Sequence, residues 1–184
     1  MSKKISAALA LALCATVSGA AFAHGDHDPD AGKGLKPPPV AILQLDQTRD
    51  VAARYLDVDA AVADGYVDIG LFVPNMGWHY MKESLVDAKF EWTRPELLVY
   101  ADDPCGGGKR RLVAVEYAVP LALSKHAPLG FVGKADQWDA NQQFQLWTLH
   151  AWLFEFNENG VFNPFNPRVT CNHHAHAHHH HAGH

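Results

Sequence analysis

The sequence predicts a single α+β domain in which one amphipathic helix packs on a curved antiparallel sheet. Three observations favour this fold. Residues 47–63 repeat apolar side chains at helical spacing. Two apolar segments, 96–101 and 110–119, flank a glycine-rich turn in the manner of a β-hairpin. A third apolar and aromatic segment, 145–156, has the composition of a further strand.

The helix is the most strongly patterned element of the sequence. Asp46 or Thr48 can cap its N-terminus, and Gly65 follows its end. Several alanines raise its helix propensity, and charged residues lie mostly on the face opposite the apolar side chains. The buried stripe predicted from this spacing consists of Val51, Tyr55, Val58 and Val62.

The first 23 residues have the pattern of a secretory signal peptide. Lys3 and Lys4 form a basic n-region, and residues 5–17 form an apolar region that is too short to span a bilayer. Ala21 and Ala23 provide small residues before a cleavage site. We therefore expect a periplasmic or secreted mature protein that keeps no stable membrane anchor once this leader is removed.

The chain after the leader divides into an arm, a domain and a tail. Residues 24–43 are acidic, contain histidines and are rich in proline, which predicts a flexible arm. Residues 44–171 carry the α+β domain. Residues 172–184 form a tail that contains eight histidines.

Two cysteines, Cys105 and Cys171, remain after the leader. An even pair in an oxidising compartment predicts a disulfide that ties the hairpin turn to the end of the domain. Closing a loop of this length stabilises the fold by roughly 4 kcal/mol in the chain-entropy model. The alternative is a pair of thiolate metal ligands, although the sequence has no CxxC pair.

The charge of the chain points to cations rather than nucleic acid as partners. The net charge is −5, and loss of the two leader lysines brings it to about −7. Basic residues are scattered, with one cluster at residues 109–111, which argues against a nucleic-acid surface. An acidic chain with 13 histidines suits metal ions better.

Three apolar segments each carry one side chain that can ligate a metal. His79 lies within an aromatic segment, Glu116 within an aliphatic one, and His150 at the centre of the densest aromatic run. A buried carboxylate must be paired, protonated or metal-bound, and a buried imidazole needs partners for its ring nitrogens. If the three converge, two histidines and one carboxylate suit Zn, Fe or Cu and leave positions open.

Other interpretations of the same residues stay open. An ion pair of Glu116 with His79 or His150 would satisfy them without a metal. His150 can also serve as an acid–base group in an aromatic pocket, which would make the protein an enzyme or a small-ligand binder. A purely structural or interaction domain is the third class. The absence of a Ser-His-Asp set, a phosphate loop and a dinucleotide fingerprint weakens the enzyme interpretation.

The two ends of the mature chain add further imidazoles. His24 at the new N-terminus can chelate copper through its amine and ring nitrogen, and His27 lies close behind. Alanines interrupt the histidine tail, which distinguishes it from an affinity tag, and such tracts bind Cu, Zn and Ni. The candidate ligands of the tail are His173, His174, His176, His178, His179, His180, His181 and His184.

Six short segments within residues 50–171 stand out as a set: Gly65-Tyr66, Asn75–Tyr80, Pro95–Tyr100, Val115–Tyr117, Leu149–Trp152 and Asn166–Cys171. Together they resemble a group of secreted bacterial proteins that has no settled activity. The resemblance therefore implies no catalytic residues. The histidine-rich termini lie outside it.

The sequence predicts an exported transition-metal-binding protein. Copper, zinc or nickel would be bound or buffered through the histidine tail and through an internal site of His79, Glu116 and His150. The alternative is a small-ligand-binding protein or enzyme that uses an aromatic pocket around His150.

Overall fold

The computed structural model describes residues 36–102 and 108–169. The leader, most of the arm, Cys105, Cys171 and the histidine tail lie outside these residues. The signal peptide, the disulfide and the terminal metal ligands therefore stay predictions. Over the two described ranges, no helix is both long enough and apolar enough to cross a membrane.

Six antiparallel strands form one sheet that curls into a half-barrel, in the order β1-β2-β3-β4-β6-β5. With the helix packed on it, this sheet confirms the predicted α+β fold. The strands are β1 Val67–Val73, β2 Gly77–Met81, β3 Leu97–Asp102, β4 Arg110–Pro120, β5 Asp139–Asn141 and β6 Leu146–Ala151.

The predicted hairpin is β3 paired with β4. The predicted strand at 145–156 is β6, which ends at Ala151 rather than Phe156. Beyond that point the backbone leaves the ladder, because the N–H of Trp152 donates to the carbonyl oxygen of Val161 in the following loop.

The helix begins earlier than predicted and is broken near its end. Helix α1 spans Pro39–Ala52, so it starts within the stretch assigned to the arm. A proline in the first turn of a helix has its φ angle already set and needs no N–H partner, which explains the early start. A 3₁₀ turn, Ala53–Tyr55, leads to a second helix, α2, at Val58–Ala63. Asp57 caps α2 by accepting the N–H of Asp59.

The predicted buried stripe is also wrong in part. Tyr55 is buried, but Val51 and Val62 are exposed. Thr48 does not cap the helix; it is fully buried, and its hydroxyl lies 2.8 Å from the carbonyl oxygen of Trp92. The buried face of α1 consists of Ala41, Gln44, Leu45, Thr48 and Ala52.

The two faces of the sheet have different environments, since side chains alternate along each strand. One face packs against α1 and carries the main core, which includes Leu98, Tyr117 and Leu149. The other face lies inside the curl of the half-barrel. Glu116 pairs with Leu97 on one neighbouring strand and with His150 on the other. All three residues line the cavity on the inner face.

Candidate metal centre

Three different strands bring the predicted internal ligands together. His79 is at the centre of β2, Glu116 lies in β4, and His150 is near the end of β6. Glu116 and His150 are direct cross-strand partners, whereas β3 separates Glu116 from His79. The curl of the sheet closes that gap. All three side chains point to the inner face, where they form a group of possible metal ligands.

The spacing of the three ligand atoms suits a single ion. Nε2 of His79 lies 3.5 Å from one carboxyl oxygen of Glu116, and Nε2 of His150 lies 3.7 Å from the other. All candidate ligand atoms lie within 4.8 Å of one another. Four ligands placed tetrahedrally at zinc-like bond lengths are separated by roughly 3.4 Å. An ion therefore fits between these atoms with small side-chain adjustments.

The same distances argue against a tight histidine–carboxylate pair. Hydrogen bonds between nitrogen and oxygen usually measure about 2.7–3.2 Å, and both contacts to Glu116 are longer. The carboxyl group instead accepts a hydrogen bond from the side chain of Thr148, its neighbour on β6. The predicted ion pair of Glu116 with His79 or His150 therefore has its partners close together but without hydrogen-bond geometry.

Burial sets the protonation of the group. His79, Glu116 and His150 are 2%, 5% and 4% exposed. Desolvation lowers the pKa of His79 to about 4, so its imidazole is neutral at pH 7. Desolvation also raises the pKa of Glu116 to about 8, which leaves its carboxyl mostly protonated. In the metal-free protein, His79 and Glu116 are thus both predominantly uncharged rather than a salt bridge.

One hydrogen bond fixes the orientation of His79. Its Nδ1 lies 3.2 Å from the carbonyl oxygen of Leu71, which can only accept, so Nδ1 carries the proton. The lone pair of Nε2 then points toward Glu116. Metal-ligating histidines typically hold their second nitrogen in this way, which orients the ring and raises its basicity. On the other side of Glu116, the ring of His150 stacks on Trp152 with a centroid distance of 6.3 Å.

A cavity of about 70 Å³ adjoins the three ligands. At roughly 10–15 Å³ for each water, it has room for several water molecules or a small ligand. Both edge strands contribute to its wall, β1 through Leu71 and Val73 and β5 through Asp139 and Asn141. The half-barrel therefore curls around the cavity.

The cavity wall differs from the predicted aromatic pocket. Apart from the two histidines, Phe144 is its one aromatic side chain among the described residues, and the remainder are aliphatic side chains, two methionines and polar side chains. The aromatic residues instead cluster on the helix-covered face, where Phe90, Tyr117 and Phe131 make edge-to-face contacts. The wall thus combines aliphatic side chains with the three candidate ligands and four further polar residues, Asp139, Asn141, Gln143 and Thr148.

A second buried carboxyl, Glu96, was not singled out from the sequence. It is 2% exposed and accepts the backbone N–H of Ala118 at 3.1 Å. Burial raises its pKa to about 8. The signal was present, because Glu96 directly precedes the apolar segment 97–101 just as Glu116 lies within its own apolar strand.

The remaining predicted ligands, which are His24, His27 and the eight histidines of the tail, lie outside the described residues. Their relation to the internal group stays a prediction. Comparisons with protein-family models, curated proteins and solved structures found no match.

Proposed function

We propose that this protein binds one transition-metal ion at His79, Glu116 and His150. The observation that carries the proposal is the meeting of three buried ligand atoms within 4.8 Å beside a cavity inside the half-barrel. Two imidazoles and one carboxylate form a set that suits Zn²⁺ or Cu ions.

The electrostatics of the group favour a metal over a purely structural role. Neutral His79 already presents a lone pair, as metal binding requires. Glu116 has a buried carboxyl whose two oxygens each face an imidazole at more than hydrogen-bond distance. An ion at the centre would displace the carboxyl proton and contact all three groups at once, which offsets their desolvation.

We further propose that the protein is exported and that it binds or buffers copper, zinc or nickel. The leader supports export, and the histidine tail supplies many imidazoles for capturing ions. In this proposal the tail exchanges ions readily, whereas the internal site retains one ion because its ligands are buried and held by the sheet.

The test is the metal content of the purified mature chain after loading and dialysis against a mild chelator. The wild-type chain, with or without the residues after Cys171, should retain one equivalent that His150→Ala and His79→Ala lose. His126→Ala changes an exposed histidine outside the group and should retain it. Equal retention by His150→Ala and the wild type would refute the internal site.

A second candidate function follows from the cavity beside the ligands. Three protein ligands leave a coordination position open, and the cavity reaches the exposed side chains of Gln143 and Phe144. A small molecule could therefore bind the ion or react there. Replacing the metal with Co²⁺ would reveal such binding, because a ligand entering the open position changes the visible absorption spectrum.

A further inference from the structure

Both methionines that follow the leader line the cavity of the proposed metal site. The sequence has three methionines, and the remaining one is Met1. Met76 lies in the turn before β2 and is 3% exposed, and Met81 is the last residue of β2. The two therefore flank His79 in the sequence and share its cavity.

The strand pairing favours Met81 as the closer companion of the ligands. Met81 lies two residues after His79 and so projects from the same face of β2. It pairs with Leu97, which in turn pairs with Glu116, and Glu116 pairs with His150. These four residues thus form one row across the inner face of the sheet.

A methionine thioether offers a sulfur ligand for a metal ion, which the aliphatic side chains of the cavity wall cannot. Thioether sulfur is a soft ligand that selects Cu⁺, and imidazole also suits copper. Methionine is otherwise a flexible filler of irregular apolar gaps, which is the plain alternative for both residues.

The charge of the site provides an independent argument. Cu⁺ together with ionised Glu116 makes a neutral centre, whereas a divalent ion with the same ligands leaves a net positive charge. An uncompensated charge is unfavourable where all three ligands are buried. Asp139 also lines the cavity, and its charge contributes to the raised pKa of Glu116, but it is partly exposed, so solvent weakens its compensation of a divalent ion.

We propose that the internal site holds Cu⁺ and that the sulfur of Met81 completes the ligand set of His79, Glu116 and His150. The proposal rests on the proposed function and names the ion. Met76 packs in the cavity wall without binding the ion, which makes it a matched control.

Selenomethionine labelling gives a direct test, because the mature chain would carry selenium at Met76 and Met81 alone. The labelled chain is loaded with Cu⁺ under anaerobic reducing conditions and measured by X-ray absorption at the copper edge. We expect a copper–selenium shell in the wild type and in Met76→Leu, and none in Met81→Leu. Neither the cysteines nor the histidine tail can produce that signal. A missing shell in the wild type, or a shell that survives in Met81→Leu, overturns the inference.

Competition with a coloured Cu⁺ chelator provides the affinity. Leucine keeps nearly the same side-chain volume, so the Met81→Leu protein should keep the wild-type circular dichroism spectrum. Its affinity for Cu⁺ should fall by at least roughly 10-fold, because losing a contact that only supports a ligand already costs about 10- to 100-fold. Its affinity for Zn²⁺ should fall less, because a thioether is a soft donor that favours Cu⁺.

The two proposals fail in different ways. If His150→Ala removes one equivalent of metal but the copper shows no selenium neighbour, the thioether ligand is wrong and the metal site stands. If no metal depends on His150, the metal site itself is wrong.

Discussion

The two faces of the sheet bury polar groups in opposite ways. On the helix-covered face, three tyrosine hydroxyls each donate a hydrogen bond of 2.7 Å to a backbone carbonyl oxygen; the pairs are Tyr66 with Pro95, Tyr100 with Tyr55, and Tyr117 with Trp92. On the inner face, the imidazoles of His79 and His150 approach Glu116 only to 3.5 and 3.7 Å.

The difference separates polar groups that hold the fold from polar groups that, in our proposal, hold a metal ion. A buried hydroxyl at 2.7 Å from a carbonyl oxygen satisfies both partners and fixes one packing arrangement. The nitrogen–oxygen distances on the inner face are close to those between two ligands of a tetrahedral metal ion, so an ion has room between them. Changes on the first face should therefore affect stability, and changes on the second should affect metal binding.

The largest loss of stability is expected for Tyr117→Ala. This side chain is fully buried in the helix-covered core and contacts Phe90 and Phe131. Its removal leaves a cavity in the core, so the free energy of unfolding should fall by about 3–5 kcal/mol. Urea denaturation followed by circular dichroism measures the change.

Leu129→Ala provides the control, because Leu129 is 94% exposed. It should change the free energy of unfolding by less than about 0.5 kcal/mol. A small effect of Tyr117→Ala would mean that the helix-covered face is not the main source of stability.

Glu116→Leu should affect metal binding rather than the stability of the metal-free protein. Without metal, the variant should be as stable as the wild type or more stable, because an apolar side chain replaces a buried carboxyl. At a free Zn²⁺ concentration of 100 times the dissociation constant, the wild type should gain about 2.7 kcal/mol and the variant nothing. Thermal denaturation with Zn²⁺ and with a chelator measures both.

The histidine tail does not obscure this comparison. A tail that binds ions equally in the folded and unfolded chain adds no stability, and both proteins carry it. An equal gain in stability for Glu116→Leu would place the stabilising ion elsewhere.

The sheet was predictable because its strands are apolar runs between turn residues, and the β3–β4 hairpin has both signals. The buried face of the helix was less predictable. Its contact face is built from Ala41, Ala52 and the polar Thr48, whereas the larger Val51 faces solvent. A pattern based on large apolar residues cannot find a contact face that includes small and polar side chains.

The candidate ligands were predictable one by one but not as a group. His79, Glu116 and His150 each stand out as a polar residue in an apolar segment. Their convergence depends on strand order and on the curl that carries β2 toward β4 and β6, and residue type encodes neither. The same criterion applied evenly would have included Glu96, which the structure shows to be satisfied by the N–H of Ala118.

The buried carboxyl of Glu96 should make the stability of the protein depend on pH. Burial raises its pKa from 4.5 to about 8 in the folded protein, so the stability that its neutral form contributes is complete below pH 4.5 and is lost as pH rises toward 8. Within that window this one group lowers the free energy of unfolding by about 1.4 kcal/mol for each pH unit. Glu96→Gln should remove that contribution.

The measurement is urea denaturation of wild type and Glu96→Gln between pH 5 and pH 9, run with a chelator present. The two proteins should be similar at pH 5, and the variant should become progressively more stable as pH rises. Glu158→Gln alters an exposed carboxyl and should follow the wild type. A stability difference that does not vary with pH would mean that Glu96 is charged in the folded protein.

The smallest expected effect is that of Tyr100→Phe. The change removes one hydroxyl whose hydrogen bond reaches the carbonyl oxygen of Tyr55, at the end of the 3₁₀ turn after α1. The ring still fills its fully buried site, so the free energy of unfolding should fall by only about 1 kcal/mol. Retained metal should remain at the wild-type level, because Tyr100 lies on the face opposite the ligands. Loss of metal in this variant would show that the helix-covered face positions the site and that the two faces are not independent.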